Sequence, residues 1–267
     1  MKIGISGKGG SGKTTISATL ARVYARQGIS VLAIDGDPNP NLGMALGLKA
    51  QALEEMCTIP RGVTAKIEDA DGTMRTVLKD SVENIKQLYG VSAPDGIRLL
   101  VGTKVETPGS GCLCSGHAAV RSLMGEIVSE AGDMTVMDME ASLEHLSRGT
   151  VRNVDVLLVV TEPYYRSLET ARRTLPLARE LGIKNIYAVV NKYRSAEDEK
   201  LVSDFCSSHG LEIIARIPFD ADVTQADQQG KSLYDFSPDS PVVKEVENLA
   251  AELRMKLPVS NYTSAKI

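Results

Sequence analysis

The stretch "GKGGSGKTT" at residues 7–15 constrains the fold of this chain more than any other feature. It follows a short apolar run at 2–6, precedes a stretch of helical periodicity, and satisfies the pattern G-x-x-x-x-G-K-[ST]. Glycines let successive backbone N–H groups turn inward around an anion, and the N-terminus of the following helix adds partial positive charge. The residues predicted to contact nucleotide phosphates are Gly9, Gly10, Ser11, Gly12, Lys13, Thr14 and Thr15. We expect Lys13 to reach the β- and γ-phosphates and Thr14 to coordinate Mg²⁺.

Short apolar runs alternate with longer amphipathic stretches along most of the chain. Strands are predicted at 2–6, 30–35, 97–102, 134–139, 155–160, 186–191 and 212–217. Helices are predicted at 13–27, 117–131, 166–181, 196–209 and 240–256. Because the strands are apolar on both faces and alternate with helices, the pattern indicates a mostly parallel sheet flanked by helices on both faces. The prediction is a single α/β P-loop NTPase domain over residues 1–257.

Residues 50–96 interrupt this alternation. They are polar, and "EDADG" at 68–72 indicates a hairpin turn. We expect a small two-stranded flap inserted in the main domain rather than a second domain. The last residues, 258–267, are predicted to form a frayed tail.

The composition excludes several classes of function. A net charge of -4 offers no basic field for nucleic acid or an anionic membrane, and an aromatic content of 4% without Trp argues against base stacking. The chain shows no export signal and no apolar run of membrane-spanning length. Its four cysteines have irregular spacing, which is not typical of a disulfide framework. These features predict a cytoplasmic protein with neither nucleic acid nor membrane as a partner.

Lys8, directly after the first glycine, distinguishes this motif from an ordinary P-loop. The stretch Lys8–Thr15 resembles the deviant Walker A ATPases, a class that includes septum-positioning and chromosome-partitioning ATPases and the nitrogenase iron protein. The resemblance implies a homodimer that encloses nucleotide, in which Lys8 reaches the partner's nucleotide and stabilises charge during hydrolysis. The alternative is a solvated loop lysine.

Acidic residues end two of the predicted strands. By the same resemblance, Asp37 in "DGDPNPN" orients the attacking water, Asp35 lies near the water shell of the metal, and Asp138 belongs to the second switch. A carboxylate at the end of a central strand points into the ligand crevice of such a sheet. An Asp-Pro turn without a catalytic role is the alternative for Asp37.

The segment "VVNKYR" at 189–194 bears on the choice of base. Arg194 occupies the position where GTPases carry the aspartate of N-K-x-D, so the sequence favours adenine over guanine. Asn191 and Lys192 are predicted to contact the base, and "IPFDADV" at 217–223 resembles the loop that flanks adenine in this class of ATPases, which adds Pro218 and Phe219. The expected cofactors at this site are ATP or ADP with Mg²⁺.

Cys112 and Cys114 form a C-x-C pair in a Gly/Ser-rich loop before a predicted helix. Thiophilic ions such as Zn²⁺ and Ni²⁺ take thiolate ligands, and a closed site usually has four donors. If the pair lies on a dimer axis, two chains supply four thiolates, and the helix N-terminus favours the thiolate form. Simple packing, a strained disulfide and a redox switch stay open as alternatives.

Together these motifs resemble the nickel-insertion ATPases that mature carbon monoxide dehydrogenase. The resemblance is carried by Lys8–Thr15, Asp35–Asn39, Cys112 with Cys114, and Asp138–Thr150. It implies that ATP closes the dimer around Ni²⁺ or Zn²⁺ and that hydrolysis releases the ion to apo carbon monoxide dehydrogenase, the predicted client.

Two other functions fit the same class of chain. One is an ATP-dependent Fe–S electron carrier similar to the nitrogenase iron protein, although the second switch at 138–150 contains no cysteine. The other is a positioning or partitioning scaffold, although the predicted C-terminal helix at 242–257 mixes charge signs instead of being basic.

Overall fold

The computed structural model describes residues 1–68, 72–102, 114–127, 133–139 and 153–258; the side chains of 61 and 114–118 lie outside this description. The strands are β1 (Lys2–Gly7), β2 (Val31–Asp35), β3 (Thr64–Glu68), β4 (Met74–Leu78), β5 (Val91–Ser92), β6 (Arg98–Val101), β7 (Met134–Asp138), β8 (Val156–Thr161), β9 (Asn185–Tyr193) and β10 (Glu212–Pro218). The helices are α1 (Lys13–Arg26), α2 (Leu42–Leu46), α3 (Ala50–Glu54), α4 (Val82–Tyr89), α5 (Cys114–Glu126), α6 (Tyr165–Glu180), α7 (Ala196–Ser208), α8 (Ala221–Gln228), α9 (Leu233–Phe236) and α10 (Pro241–Lys256).

Eight of these strands form one sheet in the order β10-β9-β8-β1-β7-β2-β6-β5. Each neighbouring pair is parallel except β5 and β6, which are antiparallel. The predicted mostly parallel α/β sheet is therefore confirmed. Its central strands β8, β1, β7 and β2 end at one edge, where the loop after β1 leads into α1.

Side chains of β8 show why the sheet needs helices on both faces. Val156, Leu158 and Val160 belong to the apolar cluster on one face, whereas Leu157 and Val159 belong to the cluster on the other. Helices α1 and α10 supply apolar residues to the first cluster, and α5, α6 and α7 supply them to the second. Because both faces of the strand are buried, the sequence of β8 is continuously apolar instead of alternating.

The predicted insertion at 50–96 is only partly separate from the sheet. The expected hairpin is present, since β3 and β4 pair antiparallel from Thr64↔Leu78 to Glu68↔Met74. It lies against α5, where Ser122 Oγ donates to the Thr76 carbonyl at 3.2 Å and Leu78 N donates to Glu126 Oε1 at 2.8 Å. The end of the same segment, however, contributes β5 to the edge of the main sheet.

Several boundaries differ from the sequence prediction. Helix α5 begins at Cys114, three residues before the predicted start, and its described part ends at Glu126. The short helices α2, α3 and α9, the longer α4 and α8, and the two-residue strand β5 were not predicted. Apart from Pro258, the predicted tail lies outside the described residues.

Candidate nucleotide site

The phosphate loop joins β1 to α1 at the sheet edge described above. Its backbone is closed by Ser11 N donating to the Lys8 carbonyl at 3.1 Å. Gly7 has a φ of +144° and Gly12 a φ of +95°, a region that L side chains rarely adopt. A Cβ on Gly7 would lie 2.3 Å from the Val160 carbonyl oxygen, and a Cβ on Gly12 would lie 2.3 Å from Asn191 Nδ2. Gly7 is therefore required by close approach to a backbone atom as well as by its backbone angle, whereas Gly12 is required chiefly by its backbone angle.

Thr14 and Lys13 occupy the first turn of α1, directly behind the loop. Thr14 Oγ1 donates to Asp138 Oδ2 at 2.6 Å, and Ser17 Oγ lies 3.2 Å from Asp138 Oδ1. Lys13 is 7% exposed, and its Nζ donates to the Lys8 carbonyl at 3.3 Å. The phosphate motif and Asp138, 124 residues apart in sequence, thus meet at one point. Ser17 was not predicted; its position one helical turn after Lys13 was the available signal.

Asp35 and Asp138 form a buried acid pair. They lie opposite each other in the β2–β7 register and are 0% and 2% exposed. Burial, together with the negative charge of Asp138, raises the pKa of Asp35 to about 7. Burial also raises the pKa of Asp138 to about 6, although hydrogen bonds from Thr14 and Ser17 and the positive charge of Lys13 oppose the shift. A hydroxyl beside two buried carboxylates is the oxygen-rich set that Mg²⁺ prefers, so these residues fit the ion.

The loop after β2 is connected to this acid pair. Asp35 Oδ1 accepts from Asp37 N at 3.1 Å, and Asp35 Oδ2 accepts from Leu42 N at 2.8 Å. Asp37 is half-buried, and its Oδ1 accepts from Asn39 N at 2.9 Å. Asn41 Nδ2 donates to the Asn39 carbonyl at 2.8 Å. Asp37 therefore lies beside the acid pair, and its part in hydrolysis stays a prediction.

Two adjoining cavities extend from the phosphate loop. One, of about 360 Å³, is lined by Gly10, Lys13, Thr14, Thr15 and Lys192 among others. The other, of about 60 Å³, is lined by Gly12 and Thr15 of the loop and, from the other side, by the four residues predicted to contact the base, which are Asn191, Lys192, Pro218 and Phe219. The structure thus gathers the predicted base contacts beside the phosphate loop.

Asn191 and Arg194 are held by contacts that the motif alone does not reveal. Asn191 Nδ2 donates to the Ser11 carbonyl at 2.7 Å, so this amide braces the phosphate loop. The Arg194 guanidinium lies 3.6 Å from the centroid of the Phe219 ring and stacks over it. Phe219 is 39% exposed, so this stack forms part of the outer wall of the smaller cavity.

Two buried side-chain oxygens in the described part of the chain have no hydrogen-bond partner, Ser11 Oγ and Asp220 Oδ2. Ser11 belongs to the phosphate loop, and Asp220 lines the smaller cavity. Asp220 Oδ1 caps α8 by accepting from Asp222 N at 2.9 Å, so only its second oxygen is left over. A buried acceptor without a donor costs free energy, so a hydrogen-bond donor in the smaller cavity, from water or from a ligand, would be favoured there. Sequence reasoning missed Asp220 because it reads as an ordinary helix cap.

Lys8 is half-buried at the outer side of the loop. Its Nζ lies 3.4 Å from the Gly9 carbonyl and 5.7 Å from the centroid of the Tyr164 ring. Its predicted reach to a partner's nucleotide concerns a second chain and stays a prediction.

The predicted metal ligands fall at the limit of the described structure. Cys112 lies outside the described residues, and for Cys114 the backbone alone is described, as the first residue of α5. Among the described residues, no group of three or more His, Cys, Asp or Glu side chains could hold a metal ion. The other two cysteines are free: Cys57 is exposed, while burial raises the pKa of Cys206 to about 11.

Every helix in the described ranges is too short or too polar to cross a lipid bilayer.

Comparison with known proteins agrees with this geometry. A family model described as the CobQ/CobB/MinD/ParA nucleotide binding domain matches residues 3–233. Carbon monoxide dehydrogenase accessory protein CooC of Rhodospirillum rubrum is 40% identical over 242 residues, which cover 89% of this chain and 91% of that protein. An ATP-binding protein of Methanocaldococcus jannaschii is 35% identical over 255 residues, covering 93% and 96%.

Among solved structures, the septum site-determining protein MinD of Pyrococcus horikoshii, complexed with Mg-ADP, has a TM-score of 0.70 and covers 100% of both chains at 20% identity. At this identity the likeness concerns the fold. The predicted resemblance to the maturation ATPases of carbon monoxide dehydrogenase and to their septum-positioning relatives is confirmed by these matches. The chain belongs to the CobQ/CobB/MinD/ParA nucleotide-binding family, and it is an ATPase of that family.

Proposed function

We propose that this protein is an ATP-hydrolysing metallochaperone that binds Ni²⁺ or Zn²⁺ between two copies of the chain and delivers the ion to apo carbon monoxide dehydrogenase. The observation that carries the ATP part is the Thr14–Asp138 hydrogen bond, which joins the phosphate loop to the buried acid pair. The client is supported by the 40% identity to a carbon monoxide dehydrogenase accessory protein.

The described side chains have separate tasks in nucleotide binding and hydrolysis. The loop N–H groups and Lys13 bind the phosphates, and Thr14 with Asp138 would hold Mg²⁺, assisted by Asp35. When bound, Mg²⁺ neutralises charge on the phosphate oxygens. Asp37, attached to Asp35 through its own N–H, orients the attacking water. Asn191 and Phe219 contact the base of ATP.

The metal ion is cargo, and its proposed ligands are Cys112 and Cys114. Cys114 opens α5, so its backbone lies at a helix N-terminus, where partial positive charge favours thiolate over thiol. One chain supplies two sulfurs, and a homodimer supplies the four that a closed thiolate site needs. Lys8 would act across the same dimer interface on the partner's nucleotide.

Metal content and dimer size test this function together. The double variant Cys112→Ala/Cys114→Ala is compared with wild type and with the control Cys57→Ala, which removes an exposed cysteine outside the proposed site. Size-exclusion chromatography with elemental analysis is run with and without ATP and Ni²⁺. We expect wild type and Cys57→Ala to carry one ion per dimer and the double variant to carry none. A double variant that retains one ion per dimer at unchanged affinity would contradict the proposed metal site.

A further inference from the structure

Glu162 lies beside the phosphate loop, although no motif includes it. It directly follows β8, which pairs with β1 so that Val160 lies opposite Gly7. The residue is 9% exposed. Its backbone N donates to Ser167 Oγ at 3.0 Å, and its carbonyl accepts from Tyr164 N at 2.7 Å. Because the backbone is fixed on both sides, the carboxylate has a defined direction.

The first carboxylate oxygen of Glu162 is connected to the phosphate loop by the ammonium of Lys192. Glu162 Oε1 lies 3.1 Å from Lys192 Nζ, and the same ammonium donates to the Gly10 carbonyl. Lys192 has a φ of +59°, a left-handed conformation that is strained for a non-glycine residue. Strain of this kind persists only where surrounding contacts hold it, and here they aim the ammonium at the loop.

The second carboxylate oxygen of Glu162 is connected to Lys8 of the phosphate loop by Tyr164. Glu162 Oε2 accepts from the Tyr164 hydroxyl at 2.9 Å. The ring of Tyr164 in turn lies 5.7 Å from the Lys8 ammonium. One buried carboxylate therefore holds two residues, and each of them contacts the loop next to Gly9.

Gly10 itself has little to fix it sterically. Its φ is +81°, and a Cβ there would meet no atom within 4 Å. A peptide unit in such open space can rotate, and a carbonyl turned towards the phosphates would repel them. The ammonium of Lys192 fixes that carbonyl, while Glu162 supplies the counter-charge that keeps a half-exposed lysine in place.

We propose that Glu162 is a positioning residue for the phosphate loop, acting through Lys192 and Tyr164 without touching the nucleotide. This role presupposes that nucleotide binds at the loop, as proposed above. Without the carboxylate, Lys192 loses its partner, the Gly10 peptide loses its fixed orientation, and the loop must be ordered when phosphate binds. That ordering reduces affinity.

A double-mutant cycle tests the connection with Mg-ADP as the probe. The variants are Glu162→Gln, Lys192→Met and the double variant, and the control is Glu169→Gln, an acidic residue of α6 paired with Arg172 and Arg173. We expect Kd for Mg-ADP to rise about tenfold in each single variant and the double variant to bind more tightly than the product of the two single effects would give, because both changes remove the same Glu162–Lys192 contact. The control should stay within about twofold of wild type.

Several outcomes would overturn the proposal. These are a Glu162→Gln affinity equal to that of the control, an additive double variant, or a lowered melting temperature of Glu162→Gln with unchanged Kd. If Glu162→Gln does not fold, Lys192→Arg and Lys192→Met test the same contact from the lysine side. We expect Lys192→Arg to retain the affinity for Mg-ADP and Lys192→Met to lose it. Equal affinities of the two variants would refute the role. Lys13→Ala distinguishes failure of the nucleotide site from failure of the Glu162 role, because Mg-ADP binding that survives this change would contradict the nucleotide site itself.

Discussion

Two buried carboxylates that face each other in a sheet are costly to ionise, first because burial removes them from water and then because of neighbouring negative charge. Asp35 and Asp138 are such a pair, and their pKa values of about 7 and about 6 lie above the ordinary 3.8. Because the two groups interact, they titrate as a pair and not one by one. In the folded protein without ligand they bind protons at a pH where the unfolded chain has already released them.

The free energy of unfolding of the ligand-free protein should therefore fall as pH rises. Between about pH 4 and about pH 7 the folded state binds more protons than the unfolded state, so this contribution to stability is present at the acidic end and lost by about pH 7, with a limiting slope of about 1.4 kcal/mol per pH unit for each group. Asp138→Asn removes one titrating group and the charge that helps to raise the pKa of Asp35. We expect a shallower slope.

Urea unfolding from pH 5 to pH 8 in chelator, without nucleotide, gives this slope. Asp204→Asn is the control, because that carboxylate is exposed on α7. A slope for Asp138→Asn as steep as that of wild type would show that the acid pair is ionised in the free protein.

How far single residues could be predicted depended on where their partners lie. The phosphate loop could be identified because its residues act within nine positions. Asp220 and Glu162 could not be identified from the sequence. Glu162 pairs with Lys192 of β9, and Asp220 lines a cavity together with residues of β9 and of the phosphate loop, so their positions depend on how distant segments pack. Asn191 was predicted as a base contact, yet its hydrogen bond to the Ser11 carbonyl follows only from the packing of β9 beside the loop.

Among the elements, the buried parallel strands were predicted well, because a short continuous apolar run bounded by turn residues is typical of a buried strand. Short helices were not: α2 has five residues and α9 has four, too few for periodicity to appear. Their positions are set by tertiary contacts. Arg22 of α1 is the clearest case, because it donates to the Leu46 carbonyl at the end of α2 at 2.8 Å and to Asp235 Oδ1 in α9 at 2.7 Å.

Arg22→Met should destabilise this junction of three helices. Arg22 is 2% exposed and also pairs with Asp95, so its removal takes the buried charged donor from two carboxylates and from the Leu46 carbonyl, while Arg26 still pairs with Asp95 and Ser232 Oγ still donates to Asp235. A fully buried pair would lose about 3–5 kcal/mol, and since Asp235 is partly exposed we expect about 3 kcal/mol. Chemical denaturation measures the loss.

Arg26→Met is the matched control on the same helix. Arg26 also pairs with Asp95, but its side chain is 48% exposed, so a loss of at most about 1 kcal/mol is expected. Equal losses in the two variants would mean that burial of Arg22 contributes nothing to the junction.

At the scale of the whole molecule, the proposed function joins two sites through one assembly. In that proposal nucleotide binds at the edge of the sheet, and the metal ion binds to the cysteine pair at the start of α5. If both sites are complete only in the closed homodimer, ATP and metal must each favour the other's binding, and thermodynamics requires the two effects to be the same factor.

That equality is measurable with a non-hydrolysable ATP analogue. The Kd for Ni²⁺ is determined with and without the analogue, and the Kd for the analogue with and without Ni²⁺; we expect both to tighten by one common factor, roughly 5- to 150-fold. Lys8→Ala removes the proposed contact across the interface and should bring both ratios of Kd values towards one. Binding of the analogue to a single chain in the absence of Ni²⁺ should persist. Cys112→Ala/Cys114→Ala should abolish the effect of Ni²⁺ on the analogue and leave analogue binding intact. Tight Ni²⁺ binding with an analogue affinity that ignores it would mean that the two sites are independent, and ATP could then not drive delivery of the ion.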